Sequence, residues 1–392
     1  MTAGELAPDG TDSACGVPAV GPGVPAVRRQ ARACAELGSP LYAALLDRAA
    51  DDLAGGGVVA DVLGDRAGAP PDDLVALRLL GGVHRLVLQR RAGALALWYP
   101  SVGGRFDGSP GQVDGLWAAF AETCAMHLEE LMAALDTPPQ TNEVGRSAGL
   151  AGALRHLVTV VDLPVRLAEL GASAGLNLRP DAVLVTAAGG ADASGPTGSP
   201  VRLTGAWAGR APGRDGTTAR VVGRTGCDPR PLDPLSTTDR LTLTGYTWPD
   251  QLARLERLRG AFALAAADPV AVDRADAATW LSGLSPRAGH WTVVWHSVMW
   301  QYLGPAERAG TRAGLEWLGG QATPTAPVAE VSFEPEDGGE FVVRATRWTG
   351  GDPVSDRLGT APAHGLPVTW SVRAARDDAE LRTTGPTAPY SP

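Results

Sequence analysis

Apolar positions along this chain change period near its middle, from threes and fours to twos. Residues 28–37 and 41–50 carry apolar side chains three and four apart, the spacing that lines one face of a helix. Residues 72–89 continue the pattern, entered through Pro70-Pro71 and two aspartates, a helix-start composition. A turn at 99–104 is followed by a further expected helix over 113–135, with Trp117, Phe120, Cys124, Leu128 and Leu131 on one face. Residues 27–160 therefore read as an all-α region. Residues 1–26 are rich in Gly, Pro and Ala without period and read as a disordered tail.

From residue 161 the texture becomes strand alternating with helix. Strands are expected at 165–170, 182–186 and 201–207, and from 219 toward Asp228, with an inserted hairpin near 178–218. The stripe Leu252, Leu255, Leu258, Phe262 and Ala265 predicts a helix over 248–267. Residues 270–277 read as a strand with an acidic end, and 291–296 as a strand passing into a helix over 297–303. Residues 328–333 and 341–347 form an antiparallel pair around a Gly-Gly turn, and 373–392 revert to a polar tail. This order predicts an α/β fold: a Rossmann-like, mostly parallel sheet over 161–372 with an antiparallel edge hairpin, preceded by the all-α region.

Composition narrows the function. The net charge of −9 argues against nucleic acid or an anionic membrane as the main partner, since both reward a basic face. No apolar run approaches the roughly 20 residues that span a bilayer, and the start lacks signal-peptide order, so a cytoplasmic protein acting on a small molecule is expected. The four cysteines are scattered, without a C-x-x-C pair. Lysine is absent altogether, which removes P-loop, Schiff-base and Ser-x-x-Lys chemistry. The six histidines form no H-E-x-x-H or H-x-H pair, so no metal site is expected. Asparagine survives only at Asn142 and Asn177.

Chemistry concentrates at Glu169-Leu-Gly171-Ala-Ser173-Ala-Gly175-Leu-Asn177, where an acid-ended strand runs into a glycine turn. Carboxylates then follow at successive strand ends, Asp228 and Asp276-Ala277, before His296. This series resembles that of class I methyltransferases, with Ser173 in place of the usual middle glycine. The resemblance implies adenosylmethionine held by Glu169, Gly171, Ser173, Gly175, Asn177, Asp228, Asp276 and Ala277, and methyl transfer to a small polar metabolite beside His296, a candidate general base. Gln140, Asn142, Glu143 and Arg146 gather within about one turn, where Arg146 can pair with a carboxylate, and are the candidate substrate contacts. The same residues also read as a capped helix start.

Two rivals stay open. Gly171-x-Ser173-x-Gly175 also matches the nucleophile elbow of serine hydrolases, with His364 or His296 and Asp276 or Asp352 to complete a triad. A non-catalytic relative that binds a nucleotide-like ligand is the other. Over roughly 40–370 the chain resembles the bacterial domain of unknown function family 2332. The resemblance rests on Arg78-Leu-Leu-Gly-Gly-Val-His-Arg-Leu-Val-Leu88, Pro139-Gln-Thr-Asn-Glu-Val-Gly-Arg-Ser147, the 169–177 motif, Gly226-x-Asp228-x-x-Pro-Leu-Asp233 and His296-Ser297. It implies a methyltransferase-type Rossmann-like fold and no particular activity.

Overall fold

The computed structural model describes residues 23–70, 73–190, 192–213, 217–336 and 339–371. Residues 1–22 of the expected N-terminal tail and the whole 373–392 tail lie outside them, whereas 24–26 already belong to the first helix. Seven helices make the first part: α1 (Val24–Glu36), α2 (Pro40–Gly55), α3 (Val58–Leu63), α4 (Val75–Leu88), α5 (Gly93–Ala96), α6 (Pro110–Met126) and α7 (Leu128–Ala134). The single helix expected over 113–135 is two, because His127 leaves helical backbone at φ −121° and ψ 28°. Helical periodicity misses this break, since the apolar stripe resumes at Leu128 and Leu131 on the far side. Residue 72 of the helix expected over 72–89 lies outside the described residues, and α4 starts at Val75 because Leu74 sits in the left-handed region.

This part has its own core, built from residues such as Leu41, Leu45, Val83 and Phe120, and Trp248 enters it from the later chain. Asp250 fixes the junction. Its carboxylate accepts from Ser39 Oγ (2.6 Å) and from Leu41 N (3.0 Å) at the start of α2, where negative charge is favoured. His84 adds a second tie: its Nδ1–H donates to Gly245 O (3.1 Å), leaving Nε2 to accept from Ser101 Oγ (2.8 Å). Burial holds that ring neutral, with its pKa lowered to about 4.

The second part runs α8 (Ser147–Val160), β1 (Val165–Leu170), β2 (Leu184–Ala187), β3 (Ala193–Ser194), β4 (Arg202–Trp207), β5 (Val221–Asp228), α9 (Thr237–Gly245), α10 (Leu252–Ala267), β6 (Val272–Arg274), α11 (Ala277–Leu281), β7 (Trp291–Ser297), α12 (Pro305–Gly320), β8 (Val328–Pro335), β9 (Phe341–Trp348), β10 (Val354–Ala361) and β11 (Thr369–Trp370). It is a mixed α/β arrangement around one eight-stranded sheet in the order β6-β5-β1-β7-β8-β9-β10-β11. The first five are parallel and the last three antiparallel. β1 and β7 are central: nearly every residue in them is buried, and Val165, Leu167, Ala168, Leu170, Trp291, Val293, Val294 and Trp295 supply the apolar surface that both faces of a parallel sheet require. On one face Val165, Leu167, Val293 and Trp295 pack with α8 and α10. On the other, Ala168, Leu170 and Val294 pack with α11 and α12.

Three features depart from the periodic reading. The segment expected as an inserted hairpin is a separate three-stranded sheet, β3-β2-β4, in which β2 and β4 run parallel. Edge strands β10 and β11 extend the sheet beyond the expected hairpin; β10 is polar along most of its length, with Leu358, Gly359 and Ala361 buried, so alternation does not reveal it. The helix expected over 297–303 is absent. Val298 N donates to Phe333 O (2.9 Å), and Glu334 accepts from the amides of Met299 (3.2 Å) and Trp300 (3.4 Å), so β8 and not a helix satisfies this backbone. Only a 3-10 turn at Trp300–Tyr302 remains. No helix of the described residues is long and apolar enough to cross a membrane.

Candidate functional site

Strand order reverses direction between β1 and β7: β5 lies on one side of the pair and β8 on the other. In open α/β sheets the crevice beyond the carboxyl ends at such a switch point is where ligands bind. Both strands leave the sheet here through a non-glycine residue with left-handed backbone, Ser173 (φ 52°) after β1 and Val298 (φ 53°) after β7. For a β-branched valine this is a true outlier, held by its surroundings at a cost of about 1–3 kcal/mol.

The glycine turn is braced from several sides. Gly171 and Gly175 both have φ 63°, and a Cβ on Gly171 would stand 3.0 Å from Met299 Cβ. Ala172 N donates to Cys227 O (3.0 Å), tying the turn to the end of β5. Asp228 accepts from Ser173 N (2.9 Å) with Oδ2 and from Arg230 N (2.8 Å) with Oδ1. This carboxylate, expected to hold the cofactor, is therefore engaged in holding the loop. Glu169 is buried beneath it, and its Oε2 has no hydrogen-bond partner. Burial, then the charge of Asp228, pushes its carboxyl well above the ordinary range against the pull of Trp295, Arg146 and Arg179.

The 140–147 segment packs directly against this loop, so the structure brings together two motifs far apart in sequence. Asn142 Oδ1 accepts from Leu176 N, Asn177 Oδ1 from Ser147 Oγ, and Gln140 Oε1 from Ser173 Oγ, each at 2.7 Å. Both asparagines of the chain thus secure one junction. Glu143 caps its turn by accepting from Gly145 N (3.1 Å) and pairs with Arg254 Nε at 2.6 Å. Burial pushes its pKa up, but Arg254 first, then His364 and Arg257, win and hold it at about 2. The helix-start reading of this segment and the site reading describe the same residues: the turn is capped, but it is buried and not solvated.

The site candidates separate into two spaces. A cleft at the strand ends is lined by Gly171, Pro229, Asp276, Ala277, Met299 and Leu303. Asp276 is exposed there and caps α11, its Oδ1 accepting from Thr279 N (2.8 Å). A larger cavity of about 210 Å3 lies between the helical part and the sheet, with Arg146, Arg254, His364, Trp248 and Tyr302 on its walls. One turn separates the two: Val298, Gln301 and Tyr302 face the cavity, and Met299 and Leu303 face the cleft. Arg254 and Trp248 escaped the sequence reading, because an arginine within a Leu-rich helix looks like any solvated position until its neighbours are known.

His296 is not a free base. Its side chain lies on the α12 face of the sheet with Nδ1 2.8 Å from Glu334 and Nε2 3.1 Å from Glu330. Although burial opposes the charge, the two carboxylates raise its pKa to about 9. With both nitrogens committed to carboxylates, it is a fixed imidazolium with no lone pair to take a substrate proton.

Ser173 has no catalytic partner either. Its Oγ donates to Gln140, and among the described residues no histidine hydrogen-bonds it. His364 packs edge-on against Trp248 (5.4 Å), its pKa lowered to about 3 by burial and then by Arg254. Ser173→Ala is therefore expected to fold and to lose about 1 kcal/mol, the net worth of one neutral hydrogen bond, in urea unfolding. A fluorophosphonate probe is expected to leave the wild type unlabelled; labelling that vanishes in Ser173→Ala would reinstate the hydrolase. Among the described residues no group of three His, Cys, Asp or Glu side chains is placed to hold a metal ion.

No curated protein and no solved structure matches the chain. The model of the family DUF2332, described as an uncharacterized protein conserved in bacteria, matches residues 25–370, which covers both the helical part and the sheet. With a family match that runs through nearly all of the described residues, the chain belongs to the DUF2332 family.

Proposed function

We propose that the chain transfers a methyl group from adenosylmethionine to a small polar metabolite. The observation that carries this reading is the paired arrangement at the switch point: a strand-end cleft and a larger cavity that share the 298–303 turn as their wall. A group-transfer enzyme needs two adjoining spaces, one for the donor and one for the acceptor, and catalysis of such a transfer is mostly positioning. The β6-β5-β1-β7-β8 order is also the one in which a methyltransferase-type Rossmann sheet would present its carboxyl ends.

The chemistry of the cleft, about 40 Å3 in volume, suits an edge of the cofactor's base. The surface of Gly171, which any Cβ would fill, together with Ala277 and Met299 gives a flat apolar slot, and the exposed Asp276 supplies a carboxylate oxygen, Oδ2, beyond the one that caps α11. Bound adenosylmethionine supplies an electrophilic sulfonium methyl group. In this reading Asp276 and Ala277 hold the base, and Gly171, Ser173 and Gly175 shape the loop against which the rest lies. Asp228 acts through that loop, as a positioning residue, and the acceptor is bound from the Arg146 side. His296 holds the dividing turn and takes no proton.

Calorimetric titration of the full chain with adenosylmethionine and adenosylhomocysteine tests this, with micromolar binding of both expected. Asp276→Ser retains a good helix cap and removes the carboxylate. It is expected to weaken adenosylhomocysteine about tenfold or more, as loss of a hydrogen bond to a charged group does, while leaving the melting temperature in place. Absence of binding by the folded wild type sinks the reading.

A further inference from the structure

The cavity between the helical part and the sheet contains a buried cation without a counter-ion. Arg146 is 9% exposed, and its Nε and Nη1 donate only to backbone carbonyls, those of Ala363 and Ser297, at 3.3 Å each. Among the described residues no carboxylate lies within ion-pair distance of it. The nearby Glu143 is 2.6 Å from Arg254 and 3.9 Å from Arg257. Two other carboxyls are close enough to be felt: Glu334 is paired with His296 at 2.8 Å and accepts from two backbone amides, and buried Glu169, beyond ion-pair distance, has its pKa pushed well above the ordinary range. Three guanidiniums thus share one carboxylate, and His364, the remaining titratable ring on this wall, is neutral. An unpaired buried charge costs several kcal/mol unless something of opposite sign joins it. The other walls are mostly apolar and aromatic, with Tyr42, Leu77, Trp248 and Phe341 among them and Gln30, Thr141 and Gln301 the uncharged polar side chains.

We infer that this cavity is a binding site for a small organic acid, its carboxylate held by Arg146 and its apolar or aromatic body against Trp248 and Tyr42. A planar guanidinium matches a carboxylate in a two-point geometry that a neutral amide lacks. At about 210 Å3 the space lies below the ~300–1,000 Å3 of drug-sized sites and suits a small acid. That this acid is the methyl acceptor rests on the methyl-transfer reading; its binding does not.

The test is carried out on the full chain without adenosylmethionine, so that failure of the acid site and failure of the cofactor reading are separate results. Benzoate, phenylacetate and hexanoate are titrated by calorimetry and by thermal shift, with benzamide as the neutral isostere and inorganic phosphate and phenyl phosphate as competing oxyanions. At least one carboxylate is expected to bind and raise the melting temperature, with benzamide at least tenfold weaker. Arg146→Met is expected to reduce that binding tenfold or more. Without ligand it is expected to melt no lower than the wild type, since it removes an uncompensated buried charge; a merely structural arginine would instead leave it less stable. If Arg146→Met does not fold, Arg146→Lys, which keeps the charge but loses the fork, is expected to show the same loss of carboxylate affinity. Binding unchanged by these variants, equal binding of benzamide, phosphate binding in place of the carboxylates, or no binding at all overturns the inference.

Discussion

Asp192→Asn is expected to destabilise the protein by about 3–5 kcal/mol, the range for removing one partner of a buried ion pair. Arg155 and Asp192 meet at 2.8 Å with side chains 0% and 1% exposed. The carboxylate has further duties: Oδ1 accepts from Ala193 N (2.9 Å), and Oδ2 from Ala211 N (3.2 Å) as well as from Arg155. An asparagine offers one oxygen where these donors face two. Whichever way the amide turns, its NH2 confronts another N–H, and the buried guanidinium loses the charge opposite it. Arg155→Met is expected to cost less, because the carboxylate left behind keeps both backbone donors. The order of the two variants in urea or thermal unfolding is therefore a check beyond the magnitude. A melting temperature lowered by about 4–6 °C is expected for Asp192→Asn; no measurable drop would mean that water reaches this pair. The pair ties the inserted sheet to α8, which also receives Trp207 Nε1 on Ala148 O (3.0 Å), so the variant loosens the insert while leaving the glycine turn in place.

The central sheet was the most legible part of the sequence, and for a physical reason. β1 and β7 are buried on both faces, so they appear as short apolar runs, and the expected 165–170 and 291–296 agree with Val165–Leu170 and Trp291–Ser297 within a residue. Elements whose backbone is satisfied by something other than their own repeat were not legible. The 297–303 segment carries an apolar pattern that suits a helix, but its amides go to Glu334 and Phe333. β10 earns its place by pairing with β9 and not by alternation.

The site was legible as two motifs and not as one place. Glycine and acid at 169–175 announced a strand-end turn, and the polar run at 140–146 announced a capped helix start, but nothing in one dimension says that this start is buried, that Gln140 reaches Ser173 or that Asn142 reaches Leu176. Roles were harder still. Asp228 and His296 have the right type at the right strand ends, and the structure engages both with protein partners: two backbone amides for one, two glutamates for the other. A single sequence shows which groups are available, whereas their roles depend on which neighbours have already claimed them.

Raising the pH from 6 to 10 is expected to remove about 3 kcal/mol of stability through His296 alone. The folded pKa is about 9 and the unfolded ring titrates near its ordinary 6.5. Since the folded state raises the pKa, the contribution is fully present below 6.5 and is lost as pH rises through 9, at about 1.4 kcal/mol per unit. His296→Gln is expected to show the opposite trend. Without the imidazolium, Glu330 and Glu334 face each other across a buried site, with half-exposed Arg312 at 3.4 Å and the more distant Arg344 as cations near Glu330. Like charges there disfavour ionisation, so the variant is weakened at pH 7 and regains stability on acidification toward 5 as one carboxyl takes a proton. Urea unfolding of both proteins across pH 5–10 distinguishes the two profiles, and parallel profiles would remove His296 as their source. The consequence reaches the site. Glu334 holds the amides of Met299 and Trp300, and the His296 ring stacks on Trp300 with centroids 5.4 Å apart, so the same cation fixes the turn that walls both the cleft and the cavity. Ligand affinity in either space is therefore expected to fall in step with stability above pH 9, and in His296→Gln already at pH 7, although His296 touches neither ligand.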